Sequence, residues 1–91
     1  MHILITYDIA STKNRTKLST LLEGYGLRVN YSVFELDIGK KHLKVLLSNM
    51  KKLTEKDDSV RIYRFSKSTI EDSFELLDRS SPFEKMSGYV D

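Results

Sequence analysis

The chain has 91 residues and no cysteine; 40% of its residues are hydrophobic, 31% are charged, and the formal net charge is +2. This length fits one small packed domain and excludes a multidomain enzyme, while the lack of cysteine excludes disulfides and thiolate chemistry. No apolar run reaches the length of a membrane span or a secretory signal, so we expect a cytoplasmic protein with no membrane partner.

The first part of the chain predicts a strand followed by a helix. His2 to Asp8 is rich in β-branched and aromatic residues and is apolar on both faces, which indicates a central strand. Ser11 or Thr12 provides an N-cap for the helix that follows, and Gly24 and Gly26 end it. Its apolar residues recur at spacings of three and four: Leu18, Leu21, Leu22 and Tyr25.

The middle of the chain continues the alternation. Leu27 to Leu36 alternates between apolar and polar residues, which predicts one long strand or two short strands around a bend. Lys40 to Leu53 has helical spacing and predicts a second helix with a strongly basic polar side. Val60 to Phe65 predicts the next strand, with Val60 and Ile62 facing the core.

This order of elements predicts an α+β fold of the ferredoxin-like βαββαβ type, with two helices on one side of a mixed sheet. Such a sheet has four strands, and the fourth comes either from the 27–36 segment or from the C-terminal part of the chain. We expect a ferredoxin-like core over residues 1–67 and a C-terminal extension over residues 68–91. In the extension, Phe74 to Leu77 suits a helix or a strand, and exposed sheet edges favour a homodimer.

Charge divides the chain in the same place. Residues 1–67 carry 13 Lys and Arg against 7 Asp and Glu, a balance of +6, and residues 68–91 carry 2 against 6, a balance of −4. A basic body favours a polyanionic partner such as nucleic acid, although plain solubility explains the charge equally well.

Asp8 is the candidate catalytic and metal-ligating residue, because it puts a carboxylate at the C-terminal end of an apolar strand. Carboxylate oxygens suit Mg²⁺ or Mn²⁺, which generate a nucleophile in phosphodiester hydrolysis. One carboxylate makes a weak site, so we expect a two-fold axis to bring a second Asp8 alongside, with the metal bound between the two subunits. The alternative is that Asp8 only caps its own turn.

Four basic residues are candidates for nucleic-acid binding. Lys13, Arg15 and Lys17 lie in the first turns of the first predicted helix, where the helix dipole disfavours cations. Phosphate contacts explain cations at this place, and Arg28 on the next strand extends the same surface. The alternative for each residue is an ordinary solvated side chain.

Other side chains carry less chemistry. Glycine-rich phosphate loops, zinc-protease motifs and hydrolase motifs are absent from the sequence. His2 and His42 stand on separate elements, which predicts two ordinary surface histidines. Tyr31 and Phe34 have the chemistry to stack on bases, but their strand spacing favours the core.

Five segments in order resemble the family of CRISPR-associated protein two, the small partner of the spacer-acquisition integrase. They cover residues 1 to about 67 and are Tyr7-Asp8-Ile9, Lys13 to Leu18, Tyr25 to Val29, Asn30 to Glu35 and Asp58 to Phe65.

The resemblance implies a ferredoxin-like homodimer that bridges two dimers of the integrase and holds a double-stranded protospacer DNA. Many family members are described as metal-dependent endonucleases on RNA or DNA, so the family's metal-binding aspartate carries over to Asp8. Its basic residues in the first helix carry over to the three candidates named above, and Arg28 matches its Y-G-x-R segment. Asn30 replaces the family's usual glutamine, and Asn14 replaces one of its paired basic residues, which leaves a weaker phosphate surface.

The resemblance also assigns the C-terminal extension. Phe74 to Asp78 would be a fifth strand that pairs with the partner's sheet, so a strand is preferred over a helix there. The closing Tyr89-Val90 would suit docking on the partner subunit or the integrase.

Three functions follow from these observations. The first is a DNA-binding scaffold in spacer acquisition with no chemistry of its own, and the second is a Mg²⁺-dependent endonuclease acting on single-stranded RNA or on DNA through Asp8. The third is a ferredoxin-like regulatory module unrelated to nucleic acid. The first two are compatible, and affinity for nucleic acid at low salt separates both from the third.

Overall fold

The computed structural model describes residues 1–83 and has the predicted ferredoxin-like element order. No helix in this part of the chain is both long and apolar enough to cross a membrane. The elements are β1 (His2–Asp8), α1 (Thr12–Glu23), β2 (Gly26–Asn30), β3 (Val33–Asp37), α2 (Lys40–Lys51), β4 (Ser59–Phe65) and α3 (Lys67–Asp72).

The boundaries of α1 follow its capping residues. Ser11 is the N-cap, and its hydroxyl accepts a hydrogen bond of 3.2 Å from the backbone N–H of Asn14. At the other end Gly24 is the C-cap, and its N–H donates to the carbonyl of Leu21. Both ends therefore form where the sequence predicts them.

The four strands lie in the order β2-β3-β1-β4, and every neighbouring pair is antiparallel. The expectation of a mixed sheet is therefore wrong. The β1-α1-β2 unit does bring β2 parallel to β1, but β3 folds back into the space between them, so the two parallel strands never pair.

The 27–36 segment supplies two strands rather than one. Tyr31 and Ser32 form the turn between β2 and β3, and the pairing slips between Arg28 and Asn30. At the start of β2 the backbones approach so closely that a Cβ on Gly26 would lie 2.3 Å from the carbonyl oxygen of Glu35. Only glycine fits at that position.

The core lies between the sheet and the two long helices. Alternate residues of β1 and β3 point toward the helices and are buried, as the strand period requires. The fully buried core side chains are Ile3, Ile5, Ile9, Leu18, Leu22, Phe34, Leu36, Ile38 and Leu46.

The outer strand β4 is less well covered than predicted. Val60 is half-buried, but Ile62 is 42% exposed and borders a shallow cavity beside Leu47 and Met50 of α2. Ile62 does point to the helical side, since it pairs with the buried Ile5, but the cavity leaves it incompletely covered by α2.

The C-terminal segment does not form the expected fifth strand. After α3, Phe74 to Asp78 is irregular and turn-forming, and the N–H of Glu75 donates to the carbonyl of Ser80 at 2.8 Å. The segment satisfies its own backbone locally, whereas a strand needs a neighbouring edge. Pairing with a partner's sheet stays a prediction, and Tyr89-Val90 lies outside the described residues.

This segment instead crosses the face of the sheet opposite the helices. The backbone N–H of Phe83 donates to Glu35 Oε1 at 3.2 Å. Its ring lies 5.1 Å from the ring of His2 and 6.3 Å from that of Phe65. Phe83 is only 8% exposed as a result, so His2 packs against a neighbour rather than standing in solvent.

Candidate nucleic-acid and metal site

Asp8 is the last residue of β1 and pairs with Ser59, the first residue of β4. It is exposed, and within residues 1–83 its carboxylate makes no hydrogen bond and no ion pair. The side chain borders a shallow cavity whose other lining residues are Thr6, Tyr7, Ser59, Arg61 and Tyr63. The carboxylate is therefore available to a ligand from outside the chain.

Asp58 performs the capping role that was the alternative for Asp8. Its Oδ1 accepts from the N–H of Ala10 at 3.1 Å, and its Oδ2 accepts from the N–H of Glu55 at 2.8 Å. The loop that follows β1 is thus held by an aspartate far along the chain, and the alternative, in which Asp8 caps its own turn, is not what the structure shows. The sequence signal for Asp58 was only its position in an acidic turn.

One chain does not form a metal site by itself. No group of three or more His, Asp or Glu side chains converges in the part of the chain that the structure describes. Asp8 offers one carboxylate, and the hydroxyls of Ser59 and Thr6 also border its cavity. Hard oxygen donors of this kind fit Mg²⁺ or Mn²⁺, but the remaining ligands must come from a second copy, water or a phosphate.

Arg61 is a residue of this cavity that the sequence analysis missed. Its side chain is exposed beside Asp8, and hydrogen bonding to Tyr63 raises the pKa of the guanidinium. An arginine at this place supplies a permanent positive charge for a phosphate. The signal in the sequence was its alternation along β4, which puts it on the same face as Asp8.

Arg15 and Arg28 meet in a second cavity. Arg15 donates to the carbonyl of Ile9 at 3.0 Å through Nη1, and Arg28 donates to Glu23 Oε1 at 3.0 Å through Nη2. The side chains around this polar cavity are Tyr7, Arg15, Thr16, Ser19, Arg28, Tyr31 and Ser32. The structure therefore brings together two of the four predicted basic residues, although they lie on different elements.

Lys13 and Lys17 are placed differently. Both are exposed on α1, neither borders the two cavities, and neither forms an ion pair with another described residue. They flank Arg15 in sequence, and α1 has no acidic residue in its first turn. The start of α1 thus carries positive charge that no side chain of residues 1–83 neutralises.

Tyr7 connects the two cavities because it borders both. Its hydroxyl donates to the carbonyl of Tyr31 at 3.2 Å. Burial raises the pKa of Tyr7 above its ordinary 10.0, although the positive charge of Arg28 partly opposes the shift. Tyr7 is therefore a neutral hydrogen-bond donor at physiological pH.

The two aromatic candidates for base stacking, Phe34 and Tyr31, differ in their burial. Phe34 is fully buried in the core, which confirms the prediction, but Tyr31 is 85% exposed. The prediction of a core position for Tyr31 is wrong because the residue lies in the β2–β3 turn, where strand alternation no longer decides the direction of a side chain.

Comparison with known proteins identifies the family. The family model described as CRISPR associated protein Cas2 matches residues 1–72. A relative from Synechocystis sp., named CRISPR-associated endoribonuclease Cas2 3, is 41% identical over 68 residues, which are 74% of each chain. A relative from Chloroflexus aurantiacus, named CRISPR-associated endoribonuclease Cas2 1, is 40% identical over 86 residues, which are 92% of this chain and 91% of the relative.

Solved structures agree. The crystal structure of Streptococcus pyogenes Cas2 at pH 6.5 superposes with a TM-score of 0.74 at 26% identity, covering 84% of this chain and 99% of that one. A chain of a structure described as a partial Cas6-RT-Cas1–Cas2 complex superposes with a TM-score of 0.65 at 38% identity, covering 82% of this chain and 89% of that one. The sequence resemblance is confirmed, and the chain belongs to the CRISPR-associated Cas2 family.

Proposed function

We propose that this protein acts in CRISPR adaptation as a homodimer that binds double-stranded protospacer DNA together with the integrase subunit. Family membership supports the process, and the similar chain in a complex that contains Cas1 supports the partner. Two observations carry the DNA-binding step: the unneutralised charge of Lys13 and Lys17 on α1, and the separate cavity that Arg15 and Arg28 share.

The charge argument has a physical basis. A cation in the first turn of a helix, where Lys13 lies in α1, faces the positive end of the helix dipole, which costs about 0.3–1 kcal/mol. This cost is offset when the same side chain neutralises a phosphate and releases counterions. The body of the chain, with a balance of +6 over residues 1–67, attracts a polyanion over a longer range.

Duplex binding tests this function. We expect the affinity of the dimer for a blunt DNA duplex to fall steeply with salt, with the slope of the log–log plot shrinking by about 0.9 for each phosphate contact removed. Lys13→Ala and Lys17→Ala should each flatten that slope, measured by fluorescence anisotropy. Lys67→Ala is the matched control, because this exposed lysine of α3 lies 3.9 Å from Glu71 and already has an anionic partner.

Two results would contradict DNA binding. One is an equal effect of Lys67→Ala and Lys17→Ala, which would reduce the start of α1 to ordinary surface charge. The other is the lack of any affinity for DNA or RNA at low salt, which would favour the ferredoxin-like regulatory module.

A second activity, metal-dependent endonuclease cleavage of RNA or DNA, is favoured by the unpaired Asp8 carboxylate. We propose that the Asp8 carboxylates of two subunits hold a Mg²⁺ or Mn²⁺ ion between them. When bound, such an ion would activate water for phosphodiester hydrolysis. In this arrangement Arg61 holds the substrate phosphate beside Asp8, with which it shares the cavity.

Cleavage is tested on labelled single-stranded RNA and double-stranded DNA with Mg²⁺, Mn²⁺ or EDTA. We expect Asp8→Ala to lower the rate by about a hundredfold or more, because it removes the carboxylate that each subunit would contribute to the ion. The same variant should bind blunt duplex as the wild type does. Cleavage that survives Asp8→Ala, or that EDTA leaves unchanged, would contradict a metal-dependent activity at Asp8.

The shared site has a test of its own. In a refolded mixture of equal parts wild-type and Asp8→Ala subunits, about a quarter of the dimers would keep both carboxylates. Cleavage should therefore fall to about a quarter of the wild-type rate if the ion needs both subunits. A fall to only one half would assign an independent site to each subunit.

A further inference from the structure

Tyr31 is an aromatic side chain that the fold presents to solvent without using it. It is 85% exposed, and its ring makes no ring contact or cation–π contact with any residue from 1 to 83. A turn between two strands is usually built from small or polar residues. A large aromatic ring at such a place needs a reason other than local structure.

The backbone of Tyr31 is held firmly although its ring is free. Its carbonyl accepts from the hydroxyl of Tyr7 at 3.2 Å and from Arg28 Nη1 at 3.3 Å. Its N–H donates to Asn30 Oδ1 at 2.8 Å, and the next carbonyl, of Ser32, accepts from the N–H of Tyr7 at 3.1 Å. Two of these four bonds involve Tyr7 and tie the turn to β1, and the other two come from Arg28 and Asn30 of β2, so the backbone that carries the ring is ordered before it binds.

The ring of Tyr31 lies beside a cavity that contains two arginine side chains. Tyr31 borders the same cavity as Arg15 and Arg28. The Glu23 carboxylate lies 3.0 Å from Arg28 and neutralises much of its charge, so Arg15 contributes most of the positive charge available to an anion. A cation beside an exposed aromatic face matches a nucleotide, whose phosphate and base need these two groups.

We propose that Tyr31 stacks on an unpaired base of a nucleic-acid strand while the adjoining phosphate binds at Arg15 and Arg28. The inference rests on the proposed function and adds an unpaired segment to the ligand, because the bases inside a duplex are stacked on both faces and leave no face for the ring. The cavity thus reads a single-stranded segment, either an extension of a DNA duplex or an RNA strand.

Binding of matched oligonucleotides by four proteins tests this proposal. The ligands are a blunt DNA duplex, the same duplex with a single-stranded extension, and a single-stranded RNA. We expect Tyr31→Ala and Tyr31→Leu to weaken binding of unpaired segments about tenfold, or about 1.4 kcal/mol, which lies within the range of one base–aromatic stack. Tyr31→Phe should bind as the wild type does, and none of the three changes should alter binding of the blunt duplex.

A fluorescent base makes the stack itself visible. With 2-aminopurine in the single-stranded segment, the wild type and Tyr31→Phe should quench the fluorescence on binding, whereas Tyr31→Leu should not. Leucine is the decisive variant, because it keeps apolar bulk and removes only the aromatic face. Loss on the DNA extension or on the RNA identifies which source of unpaired nucleotides the cavity reads.

The failure of this inference is distinguishable from failure of the proposed function. If the wild type binds blunt duplex in a salt-dependent way and Tyr31→Leu matches it on every ligand, the stacking role is overturned and duplex binding stands. If the wild type binds no nucleic acid, both fall together. The variants should have the same melting temperature as the wild type, because the ring they alter is 85% exposed.

Discussion

Two aspartates lie at the same end of the sheet, and the structure uses them in opposite ways. Both carboxylate oxygens of Asp58 accept hydrogen bonds, one from the backbone N–H of Ala10 and one from that of Glu55. Asp8, which pairs with the residue after Asp58, has no partner among the described residues. The difference teaches that availability for chemistry depends on how many backbone donors the fold brings within reach, not on residue type or on closeness to a turn.

The largest expected effect on stability comes from Asp58→Ala. Two backbone N–H groups would lose their acceptor, and the loop after β1 would lose its tie to the loop before β4. We expect the free energy of unfolding to fall by about 2 kcal/mol, measured by urea denaturation. Asp58→Asn keeps one acceptor oxygen and should fall in between.

The cleavage assay also distinguishes the two aspartates. Below its melting temperature Asp58→Ala should keep the metal-dependent cleavage that Asp8→Ala loses. If Asp58→Ala leaves stability unchanged, the two carboxylates do not differ in the way that their hydrogen bonds indicate.

A smaller effect is expected for Tyr7→Phe, which removes the hydroxyl that donates to the Tyr31 carbonyl. The loss should be about 1 kcal/mol at neutral pH, because Arg28 still donates to the same oxygen. Equilibrium denaturation at about pH 7 measures it.

Tyr7→Phe also tests how the stability of the protein depends on pH. Burial raises the pKa of Tyr7 above 10.0, so the folded state keeps a proton that the unfolded chain releases. The stability that the protonated Tyr7 hydroxyl contributes is fully present below pH 10 and is lost as the pH rises through the pKa of Tyr7 in the folded state. The wild type should therefore lose more stability than Tyr7→Phe between about pH 8 and pH 11. Parallel losses would show that Tyr7 is not the group responsible.

The smallest effect is expected for Asp8→Asn, which should change the free energy of unfolding by no more than about 0.5 kcal/mol. Among residues 1–83 the carboxylate has no hydrogen-bond or ion-pair partner whose loss would destabilise the fold. A large loss of stability would contradict the free state of Asp8 and would assign it a structural role instead.

Most of the fold was predictable because it depends on short-range patterns. The alternation in His2 to Asp8 and the cap at Ser11 specify a strand and a helix start without knowledge of distant residues. The segment Phe74 to Asp78 was not predictable, because a strand exists only where another edge accepts its hydrogen bonds. Its local composition is equally compatible with the turns that the single chain forms.

Several residues of the candidate site were also predictable, but their spatial arrangement was not. Asp8 was predicted from its position after an apolar strand, and Arg15 and Arg28 were predicted as basic residues of one surface. Their meeting in one cavity depends on the packing of α1 against the sheet. Arg61 was missed because its place beside Asp8 depends on the register of β4 against β1.

The sequence by itself determined the first strand, the two long helices, most of the apolar faces and the family, because periodicity, caps and motifs are properties of neighbouring residues. Only the tertiary structure decided that Asp58 rather than Asp8 holds the loop and that the ring of Tyr31 stands in solvent. Both decisions depend on contacts between residues far apart in the chain, such as the 48 positions between Ala10 and Asp58. Such contacts arise only when the strands have found their register and the loops have been brought together.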